Sequence, residues 1–182
     1  MAIFGKFGGS SSNEPNPADY SPEKAQKFFD HARTAADTEN YEYAIQHFCN
    51  GLKQDPRQKA GFDGLWGAVS KFKDSAAGKK GLSKETWRAI AGTGDVSRFV
   101  SAVLEWMITF GDVNLALKAA ELGGKVKAED VGATVADQAM TLIQKTAKPR
   151  KDHYLKVSDA YRMLGRHDRT GAADDPLRGD LN

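Results

Sequence analysis

Apolar residues recur at helical spacing over most of this chain, and that periodicity is what most limits how it can fold. Between Ser21 and Gly165 the large apolar residues fall three or four positions apart instead of alternating. After Pro22, which suits the first position of a helix, only Pro56 and Pro149 interrupt this region, both where a turn is expected. The pattern therefore predicts an all-α protein.

Eight helices are predicted from this spacing. The first two are joined by only three residues, Thr38 to Asn40, which favours an antiparallel hairpin. Gly123 with Gly124 and, later, Gly165 are expected to end helices, as glycine commonly does. The fifth helix is the most hydrophobic, so we expect it to be central. The approximate bounds are 22–37, 41–54, 58–72, 84–91, 96–110, 113–122, 128–145 and 152–164.

The two ends of the chain differ from this periodic region. Residues 1–20 are rich in Gly, Ser, Asn and Pro and are predicted to form a flexible leader. Residues 166–182 are polar and contain several glycines and aspartates, so they are predicted to form a flexible tail. The helical domain is expected to occupy residues 21–165.

Composition excludes several classes of protein. The 182 residues include 26 basic and 24 acidic ones, so the net charge of +2 does not indicate a strongly cationic nucleic-acid module. Cys49 is the single cysteine and cannot form an intrachain disulfide. The sequence has neither a recognisable secretory signal nor an apolar run long enough for a membrane span. These features predict a cytoplasmic protein.

The first helix pair carries a more specific pattern of large and small residues. Small residues let helix backbones approach, while large residues fill the space opposite them. This pattern resembles the tetratricopeptide repeat, a 34-residue helix pair. The matching positions are Phe28, Ala32, Ala44, Phe48, Gly51 and Pro56, whereas His31 and Ala35 depart from the usual residues.

Weaker matches follow along the chain. Phe62 lies one period after Phe28, and a third unit with a short insertion begins near Val100. A fourth unit begins near Tyr154, but the polar residues after it do not complete a pair. The resemblance implies a short α-solenoid of antiparallel helix hairpins with a concave groove, in which members of the family bind peptides or helices of other proteins. An irregular helical bundle containing one accidental repeat is the alternative.

By position in the family pattern, the first helix of each unit would line this groove. The resemblance therefore implies a noncatalytic adaptor or scaffold that holds a protein or peptide partner. Members that bind a chaperone's C-terminal carboxylate use a Lys and Asn pair where Phe29 and Arg33 stand here, so that ligand is not expected. The implied groove residues are Gln26, Phe29, Arg33, Asp63, Lys71, Arg98, Ser101, Glu105, Asp152, Leu155, Asp159 and Arg162.

Two basic segments leave a different partner open. They could bind an anionic nucleic acid or an acidic lipid in a chaperone-like or regulatory role, with strong sensitivity to salt. No aromatic residues interleave with the charges as stacking platforms would, which favours solvated turns over nucleic-acid binding. The segments contain Lys71, Lys73, Lys79, Lys80, Lys84 and Arg88, and then Lys145, Lys148, Arg150, Lys151 and Lys156.

Signals for catalysis are weak, and we predict neither an enzyme nor a cofactor. His31 and His47 can meet across the first hairpin, but a packed or surface histidine is more common than a catalytic pair. One cysteine and four scattered histidines give no metal-ligand spacing. Cys49 is expected to pack as a small apolar residue. The sequence leaves open whether the end repeats pair two copies into a homo-oligomer.

Overall fold

A computed structural model describes residues 15–178, with side chains described as far as Asp174. These residues form nine α-helices and two short 3-10 turns and contain no strand, which confirms the predicted all-α class. The α-helices are α1 (Pro22–Asp37), α2 (Tyr41–Gln54), α3 (Lys59–Asp74), α4 (Lys84–Ile90), α5 (Asp95–Ile108), α6 (Val113–Lys125), α7 (Glu129–Lys145), α8 (Lys151–Met163) and α9 (His167–Arg178). The 3-10 turns are Pro17–Asp19 and Gly78–Lys80.

Local capping explains several of these boundaries. The Ser21 hydroxyl accepts a hydrogen bond from the Lys24 amide at 3.3 Å, and Ser83 accepts one from Thr86 at 3.2 Å, so each serine satisfies an otherwise unpaired N–H. Gly165 follows α8 with a φ of 69°, a left-handed conformation that favours glycine. Ser21 and Ser83 therefore start α1 and α4, and Gly165 ends α8 as predicted.

Successive helices pack as hairpins along the chain. The most extensive contacts join α1 with α2, α5 with α6, α6 with α7, and α8 with α9. Helix α2 also packs on α3 and α5, which links the first hairpin to the centre of the molecule. This packing is consistent with an α-solenoid or a helical-hairpin arrangement. As predicted, α5 is central, with nine buried residues that include the fully buried Trp106.

Phe29 joins the first three helices. Its ring is 1% exposed and lies against two glycines, Gly51 on α2 and Gly61 on α3. A Cβ built on Gly51 would stand 2.3 Å from Phe29 Cε1, and one built on Gly61 would stand 2.2 Å from Phe29 Cζ. Both distances are far below van der Waals contact, so the ring occupies space that only glycine leaves free. Gly64 makes similar room for Phe48.

The sixth helix does not end where the sequence predicts. Gly123 and Gly124 lie inside α6 and are buried, and the helix continues to Lys125. A Cβ on Gly123 would be 3.0 Å from the Gly132 Cα of α7, and one on Gly124 would be 2.7 Å from the Met163 Cβ of α8. These glycines permit close helix approach instead of stopping the helix, so the predicted boundary is wrong.

The segment after Gly165 also differs from the prediction. Instead of a flexible tail, residues 167–178 form α9, which packs on α8 and buries Ala173 completely. Arg169 of α9 pairs with Asp137 of α7, and Arg166, just before α9, pairs with Asp130 of α7. Such ion pairs between distant helices leave no periodic apolar signal in the sequence, which explains why the helix was missed.

Most of the predicted leader lies outside the described residues, since the structure begins at Pro15. Within the part that is described, Tyr20 departs from the prediction because it is buried. Its hydroxyl donates a hydrogen bond to the Val126 carbonyl oxygen at 2.8 Å, which ties the residues just before α1 to the turn between α6 and α7.

Helix α4 is positioned by a hydrogen-bonded carboxylate on α2. Glu42 Oε1 accepts hydrogen bonds from the Ser83 amide and the Thr86 hydroxyl, both at 2.7 Å. Burial by itself would raise the pKa of Glu42, but the hydrogen bonds from Ser83 and Thr86 outweigh it and hold that pKa below its usual value. The contact fixes a helix of only seven residues.

Asp55 organises the turn between α2 and α3. Its side chain is fully buried and accepts hydrogen bonds from Arg57 Nε at 2.8 Å and Gln58 Nε2 at 2.9 Å. Burial alone would raise the pKa of Asp55, but the hydrogen bonds from Arg57 and Gln58 hold it below its usual value. The Arg57 guanidinium also lies 4.9 Å from the centre of the Tyr20 ring, so this turn helps to hold Tyr20 in place.

Gly61→Ala and Gly51→Ala are expected to lower the free energy of unfolding by about 1–3 kcal/mol each, because the new methyl group meets the Phe29 ring. Gly67 is the matched control, since a Cβ there meets nothing within 4 Å. Gly67→Ala on the exposed side of α3 should raise the free energy of unfolding by about 0.5–1 kcal/mol. Urea unfolding measures all three, and destabilisation of equal size at Gly67 would contradict this packing.

Asp55→Asn is expected to lower the free energy of unfolding at pH 7 by about 1.5–3 kcal/mol, because charged hydrogen bonds are lost. A carboxylate with a depressed pKa stabilises the fold above its unfolded-state pKa and loses that effect as the pH falls through its folded-state pKa. The difference between wild type and variant should therefore shrink as urea unfolding is repeated toward pH 2.5. A difference independent of pH would contradict the assignment.

Candidate partner-binding surface

Two clefts lie side by side on α5, α6 and α8. The α5–α6 cleft has a volume of about 440 Å³, and the α6–α8 cleft has a volume of about 350 Å³. Lys118 and Glu121 of α6 line both, so the clefts form one continuous surface. The other lining residues are Ala91, Gly92, Arg98, Ser101, Ala102, Glu105 and Leu122 in the first cleft, and Asn114, Leu117, Lys156, Asp159, Ala160 and Met163 in the second.

The order of residues on α6 creates the ridge between the clefts. Ala119 and Ala120 are buried against neighbouring helices, whereas Lys118 and Glu121, three residues apart, lie on the exposed side. Because Gly124 lets α8 approach closely, α8 forms the far wall of the second cleft. The glycine contact that extends α6 therefore also shapes this surface.

Charges of both signs alternate across these clefts. Lys118 Nζ lies 3.5 Å from Glu105 Oε2 of α5, and Glu121 Oε1 lies 2.9 Å from Lys125 Nζ. Lys156 and Asp159 continue the alternation on α8, beside the 41% exposed side chain of Met163. The surface therefore offers hydrogen-bonding groups of both kinds next to apolar contact area.

Four of the predicted groove residues line this surface. Arg98, Ser101 and Glu105 line the α5–α6 cleft, and Asp159 lines the α6–α8 cleft. Arg162 lies beside them and pairs with Asp159 at 2.6 Å and with Asp174 of α9 at 3.6 Å. The structure thus brings Arg98, Ser101 and Glu105 of the third unit together with only part of the fourth, Asp159 and Arg162.

The remaining surface residues of the predicted groove lie outside the linings of both clefts. Gln26 and Arg33 bond to Asp30 on their own helix, and Asp63 pairs with Lys59. Lys71 lies 6.0 Å from the centre of the Tyr41 ring. On α8, Asp152 pairs with Arg150 at 2.9 Å, and Leu155 is 51% exposed without lining either cleft.

The assignment of Phe29 to the groove is wrong, because its ring is buried between Gly51 and Gly61. The sequence prediction put Phe28 on the inner face instead. Ala32, another position of the repeat pattern on α1, is buried as the pattern predicts, so the error exchanges Phe28 and Phe29 without changing the rest of that face. Phe28 is instead half-buried on the outer side of α1.

Lys118 and Glu121 are surface residues that sequence reasoning missed, and Lys156 was predicted only as part of the second basic segment, not of the groove. Lys118 and Glu121 were missed because the family pattern assigns the groove to first helices, whereas α6 is the second helix of its pair. The sequence feature that could have identified Lys118 and Glu121 is the helical spacing of the charged residues on α6, which marks the exposed side of that helix.

A third cleft, of about 490 Å³, lies on the outer face of α1 and α2. We call it the aromatic cleft. As the sequence suggested, His31 and His47 meet there, with ring centres 5.8 Å apart. Burial and the neighbouring His31 lower the pKa of His47. Its lining consists of Lys24, Lys27, Phe28, His31, Tyr43, His47 and Gln54, with no carboxylate among these residues to orient a catalytic imidazole.

Among residues 15–178 there is no group of three or more His, Cys, Asp or Glu side chains placed to hold a metal ion. None of the described helices is both long and apolar enough to cross a bilayer. In the first basic segment, Lys79 and Lys80 lie in the second 3-10 turn and are exposed, whereas in the second segment Arg150 and Lys156 both contact Asp152.

Cys49 is fully buried on α2, and burial raises the pKa of its thiol to about 12. Since the thiolate is the reactive form, the native protein should resist iodoacetamide at pH 8 and become alkylated only after unfolding in urea. Mass spectrometry of the intact chain would report this. Stoichiometric alkylation of the folded protein would contradict the burial of this residue.

No protein-family model matches this chain, and neither a curated protein nor a solved structure is significantly similar to it.

Proposed function

We propose that this protein is a noncatalytic adaptor or scaffold that holds a peptide or helix of another protein against the α5–α6 and α6–α8 clefts. The observation that carries the proposal is the continuity of the two clefts through Lys118 and Glu121. A surface of this kind can contact an extended segment along its length instead of enclosing a small molecule. The helix-hairpin packing supports the proposed likeness to the tetratricopeptide repeat.

The charge pattern favours a protein partner at this surface. A nucleic acid or an anionic membrane would bring its negative charges against Glu105, Glu121 and Asp159. A peptide carries both signs of charge together with apolar side chains and can match the alternation. Since Cys49 is the single cysteine and needs no oxidising compartment, we also propose a cytoplasmic location.

Site-specific photo-crosslinking tests the proposal. A photoreactive residue placed at Ser101 or Asn114, one in each cleft, should crosslink to the same partner in extract of the native cell, and mass spectrometry should map both crosslinks to one segment of that partner. Asp63 on α3 is exposed and outside both clefts, so the same residue there is the control. Crosslinking to the same segment from Asp63 would overturn the assignment.

Charge reversal gives a quantitative check with the partner segment so identified. Lys118→Glu together with Lys156→Glu should weaken binding about tenfold, because two favourable charge contacts become repulsive. Lys79→Glu with Lys80→Glu makes the same change of charge in the basic turn and should leave the affinity unchanged. The reverse result, with loss only in the basic-turn variant, would favour the alternative of an anionic partner bound through the basic turns.

A further inference from the structure

The aromatic cleft on α1 and α2 is separate from the proposed adaptor surface and shares no lining residue with it. On α1, Lys24, Phe28 and His31 recur at helical spacing on the side of the helix away from Phe29. On α2, Tyr43 and His47 lie four residues apart and face them. The two helices thus present a stripe of rings on the outside of the first hairpin.

His47 lies at the centre of these rings. Its ring centre lies 4.3 Å from that of Tyr43 in an edge-on arrangement and 6.0 Å from that of Phe28. The Tyr43 side chain is 48% exposed, and Nδ1 of His47 is buried without a hydrogen-bond partner among the described residues. Exposed aromatic surface beside an unsatisfied polar atom is a feature of interaction sites.

The charged residues that line this cleft, among those the structure describes, are of one sign. Lys24 and Lys27 flank the rings, and neither Asp nor Glu is among the described residues that line the cleft. The nearby carboxylate of Asp30 is bonded instead to Gln26 and Arg33 on the adjacent side of α1. This differs from the α5–α6 cleft, where Arg98 and Lys118 alternate with Glu105 and Glu121.

We propose that the aromatic cleft is a second binding site, for a short acidic segment of another protein. An aromatic or large aliphatic side chain of that segment inserts between Phe28, Tyr43 and His47, and Asp or Glu residues beside it pair with Lys24 and Lys27. A cleft of about 490 Å³ is large enough for one such side chain and its flanking backbone. The protein would then bind two segments at once and bridge them.

Charge complementarity favours an acidic peptide in the aromatic cleft over a nucleic acid or the N-terminal segment of this chain. A single cleft with two lysines does not follow a phosphate backbone as a nucleic-acid groove does. The N-terminal segment 1–14 has apolar residues but only Lys6 and Glu14 as charged side chains, so it offers no excess of negative charge. An acidic peptide satisfies both the rings and the lysines.

A displayed library of random peptides, selected against the full 182-residue chain, tests this proposal without knowledge of the partner. Peptides that compete with one another at this site should be enriched in Asp and Glu around a central Trp, Phe, Tyr or Leu. Lys24→Glu with Lys27→Glu should weaken their binding about tenfold, and Tyr43→Ala should weaken it by a similar factor. Lys79→Glu with Lys80→Glu is the control with the same change of charge and should bind unchanged.

Several outcomes would overturn the proposal. These are a selection that yields no binders, binders without acidic enrichment, or equal binding by the Lys24 and Lys27 variant and its control. Self-association in sedimentation equilibrium that the same variant abolishes would assign the cleft to a second copy of the chain. Tighter peptide binding after Ile3→Ser, Phe4→Ser and Phe7→Ser in the full chain would assign it to the N-terminal segment.

Discussion

The contact of the Phe29 ring with Gly51 and Gly61 sets the arrangement on which the rest of the molecule depends. One aromatic side chain from α1 fills space left by glycines on α2 and α3, so three helices are fixed together by one interlocking contact. Because α2 also packs on α5, the orientation of the first hairpin is carried to the central helix. Because Phe29 occupies the core, its neighbour Phe28 lies on the outer side of α1, where it lines the aromatic cleft.

Glycine acts in the same way at the other end of the array. Gly123 and Gly132 bring α6 and α7 into near backbone contact, and Gly124 brings α8 against α6. The two clefts of the proposed adaptor surface lie along the exposed edges of these closely packed helices. A small residue, Gly124, therefore sets how closely the walls of the α6–α8 cleft approach, and Lys118 and Glu121 supply charge to both clefts.

The sequence predicts the helices of this protein better than it predicts their faces. Periodicity and caps such as Ser21 and Ser83 are local, and they locate eight helices to within a few residues. Phe28 and Phe29 are both aromatic, however, and the choice between them is made by glycines on other helices. Gly123 and Gly124 gave a local stop signal that a tertiary contact overrides, and α9 packs on α8 and is joined to α7 by ion pairs that have no sequence period. Arg98, Ser101 and Glu105 on α5 and Asp159 on α8 could be anticipated, whereas Lys118 and Glu121 on α6 could not.

Amide hydrogen exchange of the full chain, with and without the crosslinked partner segment, tests the central claim most directly. If the partner lies against the continuous surface, its binding should slow exchange in α5, α6 and α8, that is, in residues 95–108, 113–125 and 151–163. Exchange in α3 and in the basic turn at Gly78–Lys80 should not change. Protection confined to α3 or to that basic turn, with α5, α6 and α8 unaffected, would contradict the account.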